Sequence, residues 1–260
     1  MGCVPSSQVP KKAPSEPIPD YKTLLSTPAK TFPKEPFLSP DLVTTEGVTF
    51  RMNQVATHAN GDTYEIGTVD LHNDTKEDTQ QCNCDYVIGP TKDWGGHEIH
   101  RSMDDLVAIQ RVSDNTVFGY CLRDAEAGVN CFRIVTLVKY SEKQQPFKNV
   151  TAPGKLPLYT FAYLEFDYHS TVGSIFLLGQ SRASEPIYTV RRCSEFVWTV
   201  KKLGVPVIQL VQCPRGLMPK FTSWKVYVSP QMDLAFAMAL ANICAYFRIT
   251  LKKQMIQYYG

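Results

Sequence analysis

Fourteen residues near the end of the chain, Leu234 to Phe247, carry one clearly polar side chain, Asn242, and spread their small and large apolar residues round every face of a helix. A helix that is apolar all round has to be enclosed, by protein or by lipid. At ~1.5 Å per residue it is about 21 Å long, short of the ~30 Å hydrocarbon core that takes about 20 residues to cross. Asp233 and Arg248 bracket it, so it is not easily lengthened. Asn242 needs a hydrogen-bond partner wherever the helix is buried.

What precedes the helix decides between the two surroundings. From Gly47 onward, short runs with period-two alternation recur between turn residues, as in Val48/Phe50/Met52, Phe132/Ile134/Val138, Tyr159/Phe161/Tyr163, Phe196/Trp198/Val200 and Trp224/Val226/Val228. Turn signals such as Asn60-Gly61-Asp62, Ala127-Gly128 and Lys202-Leu203-Gly204 separate about a dozen candidate strands. Clean alternation is the pattern of antiparallel strands with one wet face. A barrel of about twelve strands leaves a lumen that its own side chains do not fill. The reading is therefore a mainly β fold, a roughly twelve-stranded antiparallel barrel enclosing a central, hydrophobic C-terminal helix. A terminal membrane anchor is the alternative, and it must accommodate Asn242 and the following Arg248-Ile-Thr-Leu-Lys-Lys.

The chain divides at residue 46. Nine of the eighteen prolines fall before residue 41, among Ser, Thr and Lys without apolar periodicity, so residues 1–46 read as a disordered Pro-rich linker and 47–260 as the barrel domain. With 43% hydrophobic residues the chain as a whole has ample material for a core. No N-terminal apolar stretch marks a secretory signal, and the eight scattered cysteines lack the dense framework of a disulfide scaffold. Reduced thiols in a cytosolic compartment are expected. Net charge is only +2, yet residues 180–260 hold eleven Lys/Arg against Glu185, Glu195 and Asp233, which is +8 there and −6 in the remainder. That asymmetry suggests a local anionic partner or a solvated charged face, and does not predict nucleic-acid binding.

The N-terminus supplies its own signal. Met1-Gly2-Cys3-Val4-Pro5-Ser6 fits N-myristoylation of Gly2, with Cys3 beside it as a palmitoylation candidate. Two acyl chains make a stable anchor where one is marginal. The expected location is the cytoplasmic face of a membrane, the plasma membrane first, with the linker letting the barrel explore the surface.

Chemistry is sparse. Cys82-Asn-Cys84 followed by His97-Glu-Ile-His100 has both gaps one residue short of zinc-finger spacing, so no metal is expected. Glu165 and Asp167 share one face of a strand, but nothing nucleophilic is tied to them. With no phosphate loop or nucleophile elbow, an enzyme and a cofactor are not expected.

The last quarter carries a resemblance. Tyr188-Thr-Val-Arg-Arg, Phe196-Val-Trp-Thr-Val-Lys-Lys-Leu-Gly-Val-Pro-Val-Ile-Gln-Leu and Trp224-Lys-Val-Tyr-Val-Ser-Pro-Gln-Met-Asp-Leu-Ala lead into the apolar helix, an order similar to the tubby C-terminal-like superfamily, which includes LURP-one-related proteins and phospholipid scramblases. Pro230 and Asp233 stand where the LURP-one-related branch carries Pro or Gly and Asp, and both also suit the start of a helix. The resemblance implies a helix-filled barrel that binds anionic phospholipid or phosphoinositide through basic residues, with Arg191, Arg192, Lys201, Lys202 and Lys225 as headgroup candidates. On alternation Arg191 and Lys201 point outward, whereas Arg192 shares its face with Tyr188 and Val190. The leading expectation is a monomeric, membrane-tethered, non-catalytic signalling adaptor. Two alternatives stand beside it: a scramblase-like lipid transporter with an inserted helix, for which Val226–Asp233 holds one acid where calcium wants several oxygens, and a releasable transcription or protein-interaction factor.

Overall fold

The computed structural model describes residues 17–32, 35–58, 61–69, 84–90, 106–124, 127–128, 130–147, 151–152, 155–167, 172–213 and 222–259. Gly2, Cys3, Cys82, His97 and His100 lie outside the described residues.

Twelve strands close into one antiparallel barrel. In chain order they are β1 (Val48–His58), β2 (Gly61–Thr68), β3 (Tyr86–Pro90), β4 (Val107–Arg111), β5 (Val117–Arg123), β6 (Cys131–Thr136), β9 (Tyr159–Asp167), β10 (Val172–Leu177), β11 (Tyr188–Arg192), β12 (Val197–Lys202), β13 (Val205–Cys213) and β14 (Ser223–Val228). Each pairs with the next, and β14 returns to β1. Between β6 and β9 the chain makes an excursion with two short strands, β7 (Thr151–Ala152) and β8 (Leu156–Pro157), whose Ala152 joins Leu106, Tyr120 and Val135 in a second apolar cluster on the wall.

Register sorts the two faces. Phe50, Val226, Leu210 and Trp198 are successive cross-strand partners on β1, β14, β13 and β12, and all four are buried. The intervening residues Arg51, Lys225 and Val211 form the neighbouring row on the other face. The alternation expected from sequence therefore holds in the strand interiors and fails at their ends. Phe196, expected to share the inner face of Trp198, precedes β12 in a turn and is 49% exposed. Val138, expected to continue the run from Ile134, lies past the end of β6 and is exposed. At the β12–β13 turn Leu203 and Gly204 both take positive φ (49° and 82°), the two-residue pattern whose twist suits a hairpin.

Helix α2 (Leu234–Tyr259) fills the barrel. Ala235, Ala237, Met238, Ala239, Leu240, Ala241, Ile243, Cys244 and Ala245 are all essentially inaccessible, and the barrel's inner face and the helix form one apolar cluster. Alanines on several faces allow the strands to approach closely. Phe236 packs edge-on against Phe161 and Tyr188 near the start of the helix, and Phe247 stacks on Phe166 at 4.4 Å further along. The enclosure expected for Leu234–Phe247 is thus provided by protein. The apolar stretch ends at Phe247 as expected, and the helix itself runs on to Tyr259, since residues 249–259 contain no glycine or proline to end it. Among the described residues no helix is long and apolar enough to cross a membrane.

The expected linker is also different. From residue 17 the chain is a strap bound to the barrel. Asp20 caps α1 (Tyr21–Ser26) by accepting from the amides of Lys22 and Thr23. Tyr21 stacks on Tyr227 at 4.7 Å, Gln209 Nε2 donates to the Pro19 carbonyl, and Ser229 Oγ donates to the Leu24 carbonyl. The strap then crosses the rim where α2 begins, burying Ala29 and Leu38, and passes through a short 3-10 turn (Pro40–Leu42) into β1. Gly47 permits this closure, since a Cβ there would collide with the backbone of Leu25. The docking of the strap comes from hydrogen bonds spanning more than 180 residues of sequence, such as those of Thr44 to Ser229 and Met232.

Candidate functional site

The basic candidates occupy two different places. Arg191, Thr199, Gln209 and Tyr227 are successive cross-strand partners, a single row across β11 to β14. Arg191 and Lys201 lie on the same face of adjacent strands, as alternation predicted, because Thr199 is directly opposite Arg191 and Lys201 is two residues further on. Lys225 lies one alternation step from Tyr227 and faces Arg51 across β1–β14. Arg51 is a residue the sequence reading missed, because it belongs to the far end of the chain and only closure of the barrel sets it beside Lys225. All four of these cations are part-buried. Arg192, the last residue of β11, shares the alternation of the buried Val190, and its Nε donates to the Ser194 carbonyl.

Lys202 departs from the expectation. It is 1% exposed, and its ammonium lies 2.5 and 2.8 Å from the two carboxylate oxygens of Glu35 on the strap. It follows Lys201, so the alternation that turns Lys201 outward turns Lys202 onto the inner face with Trp198 and Val200. The Tyr188 hydroxyl donates to the same Glu35 carboxylate at 3.0 Å, and the rings of Phe32 and Tyr188 flank the ammonium at 5.2 and 5.5 Å. Burial pushes the Lys202 ammonium below its usual range, opposed by Glu35. Burial and the neighbouring Glu35 charge both push the Tyr188 phenol up. As it stands, Lys202 is committed to the strap and not to an external headgroup.

Asp233 sits beside this group at the start of α2. Its carboxylate accepts from the amides of Ser39 (2.9 Å) and Phe236 (3.1 Å), with Leu38 and Ala235 also donating, so it caps the helix and fastens the strap at once. A cavity of about 10 Å³ lies between Glu35, Tyr188, Gln231 and Asp233. Burial outweighs the four amides and raises Asp233 to about 6. A carboxylate raised in the folded state binds its proton more tightly there than in the unfolded chain. Its contribution is therefore favourable at low pH and lost as pH rises from about 4 through 6, by on the order of 3 kcal/mol. Urea unfolding of the native chain and Asp233→Asn at pH 4.5 and 7.5 checks this: the difference between the two proteins should change with pH in that direction, with the asparagine variant gaining relative stability at pH 7.5.

At the other end of the lumen, Asn242 faces Cys121, whose thiol donates to the Ala239 carbonyl at 3.8 Å and is pushed up to about 12 by burial. Both line a cleft of about 30 Å³ with Asp62, Tyr64, Arg123 and Tyr246, room for a water or two at about 10–15 Å³ each. The six described cysteines are free thiols. Glu165 and Asp167 are exposed on β9, as their shared face predicts, and each is a cross-strand partner of an uncharged β10 residue, Ser174 and Val172. Among the described residues no group of three or more His, Cys, Asp or Glu is placed to hold a metal.

Compared with protein-family models, with curated proteins and with solved structures, the chain matches none.

Proposed function

We propose that this protein is a membrane-tethered, non-catalytic barrel of the tubby-like kind whose β11–β14 wall docks on anionic phospholipid or phosphoinositide, serving as a signalling adaptor at the cytoplasmic face of a membrane. The observation that carries the reading is where the first described residues dock on the barrel. Pro19 and Tyr21 are held on Gln209 and Tyr227, the row that also contains Arg191, with Lys225 one step along β14. Two strand spacings of ~4.8 Å put the attachment about 10 Å from Arg191. The acylation motif at Gly2 and Cys3 is then joined to the docked segment by residues 4–16, a stretch that spans at most about 45 Å. That reach lets an anchor at Gly2 and Cys3 bring this wall to a bilayer. The filled lumen supports a role for the outer surface, since α2 occupies the space where a barrel would hold an internal ligand.

Each Lys or Arg brought to an anionic leaflet contributes about 1 kcal/mol. Replacing Arg191, Lys201 and Lys225 with alanine together should weaken binding to phosphatidylserine-containing vesicles on the order of 100-fold in a co-sedimentation assay. Equal pelleting of the native chain with anionic and purely zwitterionic vesicles would defeat the reading.

A further inference from the structure

We propose that Lys202 and Tyr188 form an anion-binding site on the barrel rim which Glu35 occupies in cis, and that a phosphate monoester competes with Glu35 for it. Both donors belong to the barrel and stand at its edge: Tyr188 opens β11, Lys202 closes β12, and the two are direct cross-strand partners. They converge on one oxygen, Glu35 Oε1, at 3.0 and 2.5 Å. The anion they bind comes from the strap, 153 and 167 residues away in sequence, and is held against the rim by separate contacts: Tyr140 donating to the Phe37 carbonyl, and the Ser39 amide donating to Asp233.

The site has the composition of an anion receptor. An ammonium supplies charge, a phenol supplies a directed donor, and Phe32 and Tyr188 wall the cation off from water. A phosphate monoester carries about −1.5 to −2 charge and three acceptor oxygens, against one charge and two oxygens for Glu35, so it satisfies the same donors with more to spare. The cavity beside Glu35 gives the larger head some of the room it needs. Asp233, a buried carboxylate lining the same cavity, restricts the site to a single anionic group.

Glu35 acts as a tethered competitor whose effective concentration is on the order of millimolar or above, so dilute phosphate does not displace it. Removing its charge frees the donors. These donors are not the wall cations, so this proposal and the wall reading stand or fall separately.

The test is titration calorimetry of the full chain with inorganic phosphate and with soluble inositol trisphosphate. Glu35→Gln should bind either probe at least about tenfold more tightly than the native chain, and Tyr188→Phe or Lys202→Met added to it should abolish the gain. Equal affinity of a folded Glu35→Gln and the native chain would overturn the proposal. Hydrogen exchange on the native chain provides a readout that needs no variant. The amides of Ser39 and Thr44 should lose protection in saturating inositol trisphosphate, which assigns the site to free phosphate esters, or only with phosphatidylinositol-phosphate vesicles, which assigns it to a headgroup. Unchanged protection with both probes would refute the competition.

Discussion

Phe247→Ala is expected to lower the free energy of unfolding by about 3–5 kcal/mol, the range for deleting a large buried aromatic. Phe247 is 1% exposed, stacked on Phe166 with rings 19° apart and set edge-on to Trp198 at 6.1 Å. Phe166 and Trp198 themselves meet edge-on at 6.3 Å, so the three rings form one unit joining the helix to β9 and β12. Truncation forfeits the burial of the ring and leaves a cavity that three separately anchored elements close only in part. Leu203→Ala is the control, because that side chain is 53% exposed and its loss should change stability by no more than about 0.5 kcal/mol. Urea denaturation followed by tryptophan fluorescence measures both. A Phe247→Ala effect as small as the control's would mean that the helix is not enclosed by the strands. This is also the sharpest contrast with a lipid-embedded helix, in which truncating one ring would leave the β domain's stability untouched.

The fold was legible because its two strongest signals are local. Period-two alternation is written into each strand, and the absence of any wet face between Leu234 and Phe247 demands an enclosure that a dozen strands supply. The strand ends were less legible, since Phe196 and Val138 continue an alternation on paper after the hairpin geometry has stopped enforcing it. The strap was missed for a different reason. Its residues carry no periodic pattern, and what orders them is a set of single contacts to partners more than 150 residues away, such as Glu35 with Lys202 and Ser39 with Asp233. Nothing in the segment itself distinguishes such a strap from a solvated proline-rich linker. Lys202 lies between these cases: alternation after the outward Lys201 already turned it inward, but its counter-ion belonged to the segment read as disordered. Arg51 shows the remaining gap, for its place beside Lys225 depends on the closure of β1 onto β14.

That buried pair yields the second large effect. Lys202→Met alone leaves the Glu35 carboxylate, whose side chain is 4% exposed, without its cation, and Glu35→Leu alone leaves the ammonium without its anion. Removing one partner of a buried ion pair costs about 3–5 kcal/mol, because the survivor keeps its desolvation penalty and loses its attraction. The double variant removes both charges, and such replacements are often neutral or stabilising when volume is kept. The Tyr188 hydroxyl changes that balance here, since it donates to Glu35 and would be stranded in the double variant at about 1–3 kcal/mol. The expected order is therefore two severely weakened single variants, a partly recovered double, and a triple including Tyr188→Phe close to the native chain. Thermal or urea unfolding of the five proteins, native chain included, gives the coupling between Glu35 and Lys202 directly, and it should be large because the side chains touch. Additive losses would mean that Glu35 is solvated and the strap is not seated on the rim, whereas strong coupling would fix the strap as part of the folded domain.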